Sequence, residues 1–298
     1  MQSSAEAAFK KEMKQKIGII YNASRQENLE IVEKLEKFLH EKGISTWRGR
    51  TGNEKRDWEF LSEPLDFSIV LGGDGTLLGT SRILAPKGIP MFGINTGHLG
   101  FLSEGRGGNI LELVEKVLKK EYRIEDRAML CGYILSSDHL QNEQGPLFAL
   151  NDIIVSRGTS HRMIHMTLNV DEKPVADYIA DGLIISTPTG STAYALSAGG
   201  AVMDPEIRGV EIVPICAHSL TSRPHIVADS RIITITFNRP HDGTILQLDG
   251  QENLSVQKGD KIRISRAAHT AKLIRLLGDE SDFYWTVRQK FHWGILAK

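Results

Sequence analysis

A doubly wound α/β domain followed by an all-β, sandwich-like domain is the fold class that this sequence predicts. Three observations lead there. In the first 125 residues, short apolar runs alternate with segments of helical periodicity, as parallel strands joined by helices do. From Ala128 onward, strand-like runs are separated mainly by turns. The chain has 298 residues, enough for two modest domains or one large one with a real core. The expected organisation is a leader over 1–15, an α/β domain over 16–125, a β-sandwich-like domain over 126–270, and a segment over 271–298 that packs back on the first domain.

The elements follow in order. Met1 to Lys16 has no apolar core and does not read as a secretory signal. "KIGIIYN" (Lys16 to Asn22) is strand-like. In "ENLEIVEKLEKFLHEKG", Leu29, Ile31, Val32, Leu35, Phe38 and Leu39 recur at helical spacing, and Gly43 sits where a C-terminal cap belongs. "ISTW" reads as a short second strand. "FSIVL" (Phe67 to Leu71) is a continuous apolar run, as in a parallel strand buried on both faces. A glycine turn follows, then a short helix from about Thr76 to Leu84, then the strand "IPMFGIN". Asn109 is placed to cap the helix "ILELVEKVLKK". Beyond residue 125 come the strand-like runs "MLCGYIL", "FALNDIIVS", "IHMTLNV", "PVADYIA", "DGLIIS", "VEIVPICA", "RIITITF", "TILQLDG" and "KIRIS". "NVDEKPVA" reads as a hairpin with Asp171, Glu172 and Lys173 at its tip. One helical insert fits, about Ala193 to Ala198. The chain closes on the aromatic, amphipathic "DFYWTVRQKFHWG".

Charge and composition narrow the function classes. Lys+Arg is 36 and Asp+Glu is 37, so the chain lacks the basic excess of an electrostatic nucleic-acid binder, and no nucleic-acid partner is expected. No run reaches membrane-spanning length. Two cysteines, Cys131 and Cys216, read as reduced, buried thiols of a cytoplasmic protein rather than a disulfide scaffold. No Cys/His spacing suggests a zinc site, and no side-chain cluster marks a metal.

The stretch "VLGGDGTLL" (Val70 to Leu78) carries chemistry that needs explaining. Glycine turns after strands receive phosphates, yet Asp74 places a carboxylate in the middle of this one. The string is not a P-loop. The spacing Gly73-x-Gly75-x-x-x-Gly79 is one residue longer than a dinucleotide fingerprint. A carboxylate beside a pyrophosphate would be repelled. The repulsion disappears if a divalent cation lies between them, or if the carboxylate faces an attacking hydroxyl and accepts its proton. Both belong to phosphoryl transfer. Gly72, Gly73 and Gly75 then permit the turn and let backbone N–H groups approach phosphate oxygens, with Thr76 adding a hydroxyl. The alternative is a strand-ending turn with Asp74 as a helix N-cap.

Two further segments stand out. "DGLIISTPTGSTAYALSAGG" (Asp181 to Gly200) places hydroxyls at Ser186, Thr187, Thr189, Ser191, Thr192, Tyr194 and Ser197 around a Pro-Gly turn that opens a helix. Unpaired N–H groups at that helix start could meet a polar ligand, and Tyr194 could stack on a base or a nicotinamide ring. An ordinary capping loop is the other reading. Asn151 and Asp152 interrupt an otherwise apolar strand, where a buried polar pair needs a partner. A ligand amide or ribose would serve, and so would a turn.

Taken together, GGDGT (Gly72 to Thr76), "GINTGHLGFL" (Gly93 to Leu102), "NDIIVSRG" (Asn151 to Gly158), the hydroxyl-rich segment and "LDGQ" (Leu248 to Gln251) closely resemble the NAD kinase family, from about Lys16 to the C-terminus. GGDGT alone is shared with diacylglycerol-kinase-like lipid kinases and 6-phosphofructokinases, and the hydroxyl-rich segment is far more specific. The resemblance implies an NAD kinase/diacylglycerol kinase-like fold and transfer of the terminal phosphate of ATP to the 2′-hydroxyl of the adenosine ribose of NAD, with a divalent ion such as Mg²⁺. It assigns Asp74 as proton acceptor. Asp74 and Gly75 also fall at NAD-contacting positions. Asn151 and Asp152 match the Asn-acid pair that holds the ribose and adenine, with Asp where many members have Glu. Asp181 falls near the nicotinamide end. Thr192, Ala193, Tyr194, Ala195, Leu196 and Ser197 match the substrate turn, Phe101 and Gln251 further lining positions, and Arg162 a position that is often basic or His. The family also implies a homodimer or homotetramer whose neighbouring subunits complete the site. Two other readings share the same residues: a non-catalytic NAD(P)-binding sensor, and a lipid or sugar kinase using the GGDGT loop.

Overall fold

The computed structural model describes residues 15–24, 26–51, 64–95, 100–106, 109–136, 143–239, 243–278 and 282–292. Apart from Gln15, the expected leader lies outside them. So do 96–99 of the "GINTGHLGFL" motif and 293–294 of the aromatic C-terminus. The chain divides into two compact units, 1–126 with 271–298, and 127–270.

The first unit is built from β1 (Lys16–Asn22), α1 (Gln26–Glu41), β2 (Ser45–Thr51), β3 (Phe67–Leu71), α2 (Asp74–Leu84), β4 (Met91–Asn95), β5 (Glu104–Arg106) and α3 (Ile110–Leu118). β2, β1, β3 and β4 lie side by side, all parallel. Alternation sorts their side chains onto two faces. Ile17, Ile19, Phe67, Ile69, Phe92 and Ile94 point to one face, where Val32, Leu35 and Leu39 of α1 and Val114 and Val117 of α3 cover them. Gly93 points to the other face, where a Cβ would collide with Leu77 of α2. Helices therefore cover both faces, which is why β3 and β4 are buried throughout. β2 is longer than the four residues read from "ISTW", because its backbone pairs with all of β1. The strand order reverses at β1. The GGDGT turn leaves the carboxyl end of β3 beside that switch point, where open α/β sheets bind ligands.

The second unit follows β6 (Tyr122–Leu135), which carries the chain across at residue 126. Its strands are β7 (Glu143–Ala149), β8 (Asp152–Ser156), β9 (Ile164–Val170), β10 (Lys173–Ala180), β11 (Gly182–Ser186), β12 (Gly209–Ile215), β13 (His225–Ala228), β14 (Ile233–Arg239), β15 (Ile245–Leu248) and β16 (Glu252–Ser255). The short helix α4 (Tyr194–Ser197) follows a 3₁₀ turn at Gly190–Thr192. One antiparallel sheet runs β13-β12-β11-β8-β15-β16. In a second sheet, β10, β9 and β14 are neighbours. The two inner faces share one core, in which Ile153, Val155, Leu183, Ile185 and Ile212 meet Ile164, Met166, Leu168 and Ile235. The opposite face of the first sheet, Ile154, Ile184 and Val213, packs against Ala195 of α4. This is a sandwich with one outer face partly roofed. β17 (Lys261–Leu276) pairs with β14 over 261–264, and its end, from 271, belongs to the first unit, where Leu273 pairs with Met91 of β4. α5 (Phe283–Phe291) follows.

Three expectations need correction. "FALNDIIVS" is two strands in different sheets, β7 and β8, broken at Leu150 and Asn151. The cause lies about a hundred residues away, as shown below. Cys131 is buried, but Cys216 is exposed, at a positive φ of 47° just past β12. The tip of the 170s hairpin is Asp171 and Glu172 alone, both at positive φ, with Lys173 already in β10.

Candidate active site

In the first unit the site is built on the turn after β3. Gly72 lies at φ +156°, and a Cβ there would run into the Thr76 side chain. Gly73, exposed and extended, is the N-cap of α2 without a side-chain cap bond. The cap reading of Asp74 is therefore corrected, because Asp74 is the first residue inside the helix. Its carboxylate is held from outside the helix. Oδ2 accepts the Phe101 N–H at 2.8 Å and Oδ1 the Leu102 N–H at 3.2 Å. Gly100 passes so close that a Cβ would overlap the Asp74 carboxyl. Two of the roughly four acceptor positions of a carboxylate are thus filled, and Asp74 is only half-buried. A carboxylate fixed in this way can still take a proton from an alcohol.

The 100–104 segment is itself held. The Phe101 ring lies against Phe283 and Phe291 of α5 at 6.3 and 5.7 Å, with Lys290 Nζ 4.6 Å from the ring centroid. Arg275 of β17 donates to the carbonyls of Phe101 and Leu102 at 3.0 and 3.2 Å and to Glu104 Oε1 at 3.0 Å. Burial raises the Glu104 pKa above the ordinary carboxylate value, and the Arg275 charge opposes that rise.

In the second unit the site is built on the break between β7 and β8. The Asp249 carboxylate accepts three successive N–H groups: Leu150 at 3.2 Å, Asn151 at 2.7 Å and Asp152 at 3.3 Å. A ladder cannot run through residues whose donors all turn to one carboxylate, so the strand breaks here. The matching carbonyls are taken by Thr187. Its Oγ1 donates to Leu150 O at 2.6 Å and its N–H to Asn151 O at 2.8 Å. The backbone of Asn151 is thereby fixed from both sides, while its carboxamide has no hydrogen-bond partner among the described residues. Asp152 is buried, and burial, followed by the nearby Asp249 charge, raises its carboxyl to about 7.

The hydroxyl-rich segment divides in two. Ser186, Thr187, Thr189 and Ser191 are buried, and Ser186, Thr187 and Ser191 each donate to backbone carbonyls. Thr189 Oγ1 accepts from Arg127 at 3.3 Å. These four are structural. The expectation of unpaired N–H groups is corrected only for the turn ahead of the helix: those of Gly190, Ser191 and Ala193 are bonded within it, to Thr187 Oγ1, Thr187 O and Gly190 O. Thr192, Ala193 and Leu196 are partly exposed, and Tyr194 and Ser197 are exposed. Ala195 is fully buried under the sheet, so it supports the turn rather than facing a ligand. Asp181 is ion-paired with Arg157 Nε at 2.8 Å. Arg162 is exposed, its N–H on Ser160 Oγ at 3.2 Å, and Gln251 lies in the exposed β15–β16 turn. Sequence reasoning missed Arg275 and gave no role to Gly100 or Asp249, although both fall inside quoted motifs. The Asp-Gly pair at 249–250, both at positive φ, signals a hairpin turn, but nothing local says where its carboxylate goes.

The ATP-NAD kinase N-terminal domain family matches residues 17–122, and the ATP-NAD kinase C-terminal domain family matches 150–276. NAD kinase of Heliobacterium modesticaldum is 36% identical over 288 residues, covering 93% of this chain and 99% of its own. NAD kinase of Carboxydothermus hydrogenoformans is 42% identical over 229 residues, 77% and 80% of the two chains. Among solved structures, an NAD kinase from Archaeoglobus fulgidus in complex with ATP superposes with TM-score 0.70 at 26% identity, over 93% of this chain and 98% of that one. Yeast NADH kinase complexed with NADH gives TM-score 0.83 at 23% identity, over 96% and 89%, a likeness of fold.

Proposed function

The chain belongs to the NAD kinase family, and on that footing we propose that it transfers the terminal phosphate of ATP to the 2′-hydroxyl of the adenosine ribose of NAD, giving NADP and ADP. The observation that carries the mechanism is the Asp74 carboxylate, fixed by two backbone N–H groups and still able to accept a bond. In this reading the 2′-oxygen attacks the terminal phosphorus, its proton passes to Asp74, and the bond to the ADP oxygen breaks. Positioning and charge neutralisation dominate such transfers.

The remaining roles follow the same reading. Gly72, Gly73, Gly75 and Thr76 receive the phosphates. The rigidly held Asn151 presents its carboxamide to the substrate, with Asp152 beside it. Thr192, Ala193, Tyr194, Leu196 and Ser197 form the substrate turn, Arg162, Asp181 and Gln251 are further NAD-binding positions within a substrate-binding domain over 126–270, and Phe101 is a further NAD-binding position in the first unit. The described residues hold no group of three or more His, Cys, Asp or Glu side chains suited to a metal. Mg²⁺ would shield the phosphate charge as an ion carried by the triphosphate, and Asp74 is the carboxylate of the turn that could help to hold it. Such ions keep several waters and few protein ligands. We place the enzyme in the cytoplasm, as a homodimer or homotetramer.

The test is NADP formation from ATP, Mg²⁺ and NAD, read through an NADP-specific dehydrogenase. Asp74→Asn is expected to lower kcat by about 10²–10⁴-fold while calorimetry finds NAD binding intact. Wild-type turnover in the variant would remove Asp74 from the role. NAD binding without any NADP from the unaltered protein would return the sensor reading.

A further inference from the structure

Arg275 sits in a run of buried residues at the end of β17, itself only 4% exposed. A guanidinium at that depth needs its charge met by partners. The choice of partners is informative. Nη1 donates to Glu104 Oε1 and to Leu102 O, Nη2 donates to Phe101 O, and Nε lies 3.6 Å from Glu125 Oε2. Its hydrogen bonds converge on the segment whose N–H groups grip Asp74.

One peptide unit links the two ends. The carbonyl of Phe101 and the N–H of Leu102 belong to the same amide. Its oxygen accepts from Arg275 at 3.0 Å, and its N–H donates to Asp74 Oδ1 at 3.2 Å. A cation on the oxygen polarises the amide and strengthens its donor, as hydrogen bonds in series do. It also fixes the plane of the amide, and with it the direction of the N–H. The second Asp74 donor, Phe101 N–H, lies on the adjoining unit, whose α-carbon the same clamp fixes.

We propose that Arg275 is a positioning residue for phosphoryl transfer, acting through the Phe101–Leu102 peptide to set the orientation of the Asp74 carboxylate. This rests on the reading of Asp74 as proton acceptor. Arg275 touches no reacting atom. Its fork geometry matters more than its charge, because three acceptors at fixed angles suit a planar guanidinium and not an ammonium. Glu104 balances the charge and completes the grip.

The experiment is a double-variant cycle. Removing Arg275 alone would strand Glu104, so the first variant is charge-balanced, Arg275→Gln with Glu104→Gln. The second is Arg275→Lys, which keeps the charge and loses the fork. Thermal melts confirm folding, and if the balanced pair does not fold, Arg275→Lys carries the test. In either variant kcat is expected to fall about 10²-fold, with KM for ATP unchanged. Added to Asp74→Asn, the same substitution is expected to cause no further loss, since the residue it positions is already gone. An equal fold-loss with and without Asp74 would overturn the proposal, as would wild-type kcat in the folded variant. Full activity of Asp74→Asn alone is a separate result, and it would remove the reading of Asp74 instead.

Discussion

Asp74 in the first unit and Asp249 in the second both collect backbone N–H groups from far along the chain, 27 and 28 residues away in one case and 97 to 99 in the other. They differ in how completely they are used. Asp249 is buried, takes three donors in succession, and as a result breaks a strand. Asp74 is half-exposed and takes two. A carboxylate that shapes a chain has its acceptor positions filled and its access to water removed. One that is to receive a proton is fixed by just enough donors to hold its direction. The same side chain therefore serves architecture or chemistry according to what is left unfilled.

The largest effect that can break this comparison is expected at Asp249. Orphaning a buried N–H costs about 1–3 kcal/mol. With three affected, Asp249→Ala is expected to lose more than about 3 kcal/mol of unfolding free energy in urea titrations. A loss below about 1 kcal/mol would mean that water replaces the carboxylate, and Asp249 would not be architectural.

Asp152 sharpens the comparison through pH. Its carboxyl is raised to about 7 from an ordinary 3.8. Between those values the folded chain binds more protons than the unfolded one, so ionising Asp152 weakens the fold as pH rises through that window. Asp152→Asn removes this cost. Its stability relative to wild type is expected to increase between about pH 4 and about pH 7 and to level off above that, measured by urea melts of the free protein. A difference that stays flat would show that Asp152 is not held against its own ionisation.

The smallest stability effect is expected at Gly73. It has ordinary φ, and a Cβ there would meet nothing within 4 Å. Gly73→Ala should change stability by less than about 0.5 kcal/mol yet raise KM for ATP, because the added methyl stands where the turn would face phosphates. An unchanged KM would separate this turn from the phosphate donor.

Much of the architecture was legible because its causes are local. Alternating apolar runs and helical spacing mark β1 through β4 and α3, though not the short β5, and the Asp171–Glu172 tip marks its hairpin. The failures have distant causes. In "FALNDIIVS" the polar Asn151–Asp152 pair leaves a turn open as one reading, but nothing local shows its cause, since Asp249 imposes the break from another hairpin. The hydroxyls of Ser186, Thr187 and Ser191 look ligand-facing in sequence, but a buried turn needs them for its own carbonyls. Arg275 reads as one more basic residue in a strand, and only its acceptors distinguish it. The site positions themselves came from resemblance more than from spacing.

The division of the chain also has a consequence for its synthesis. Residues 127–270 are contiguous, whereas the first unit needs 271–298 to be whole. The whole of the second unit is therefore synthesised before the last strand of the first, and until then the edge of β4 lacks its pairing with Leu273. Domains fold as units while the chain emerges, and an uncovered strand edge invites the wrong neighbour. A nascent chain stalled before residue 275 carries the GGDGT turn without its guanidinium clamp. The grip on the Asp74 turn is therefore among the last contacts of the first unit that the growing chain can make.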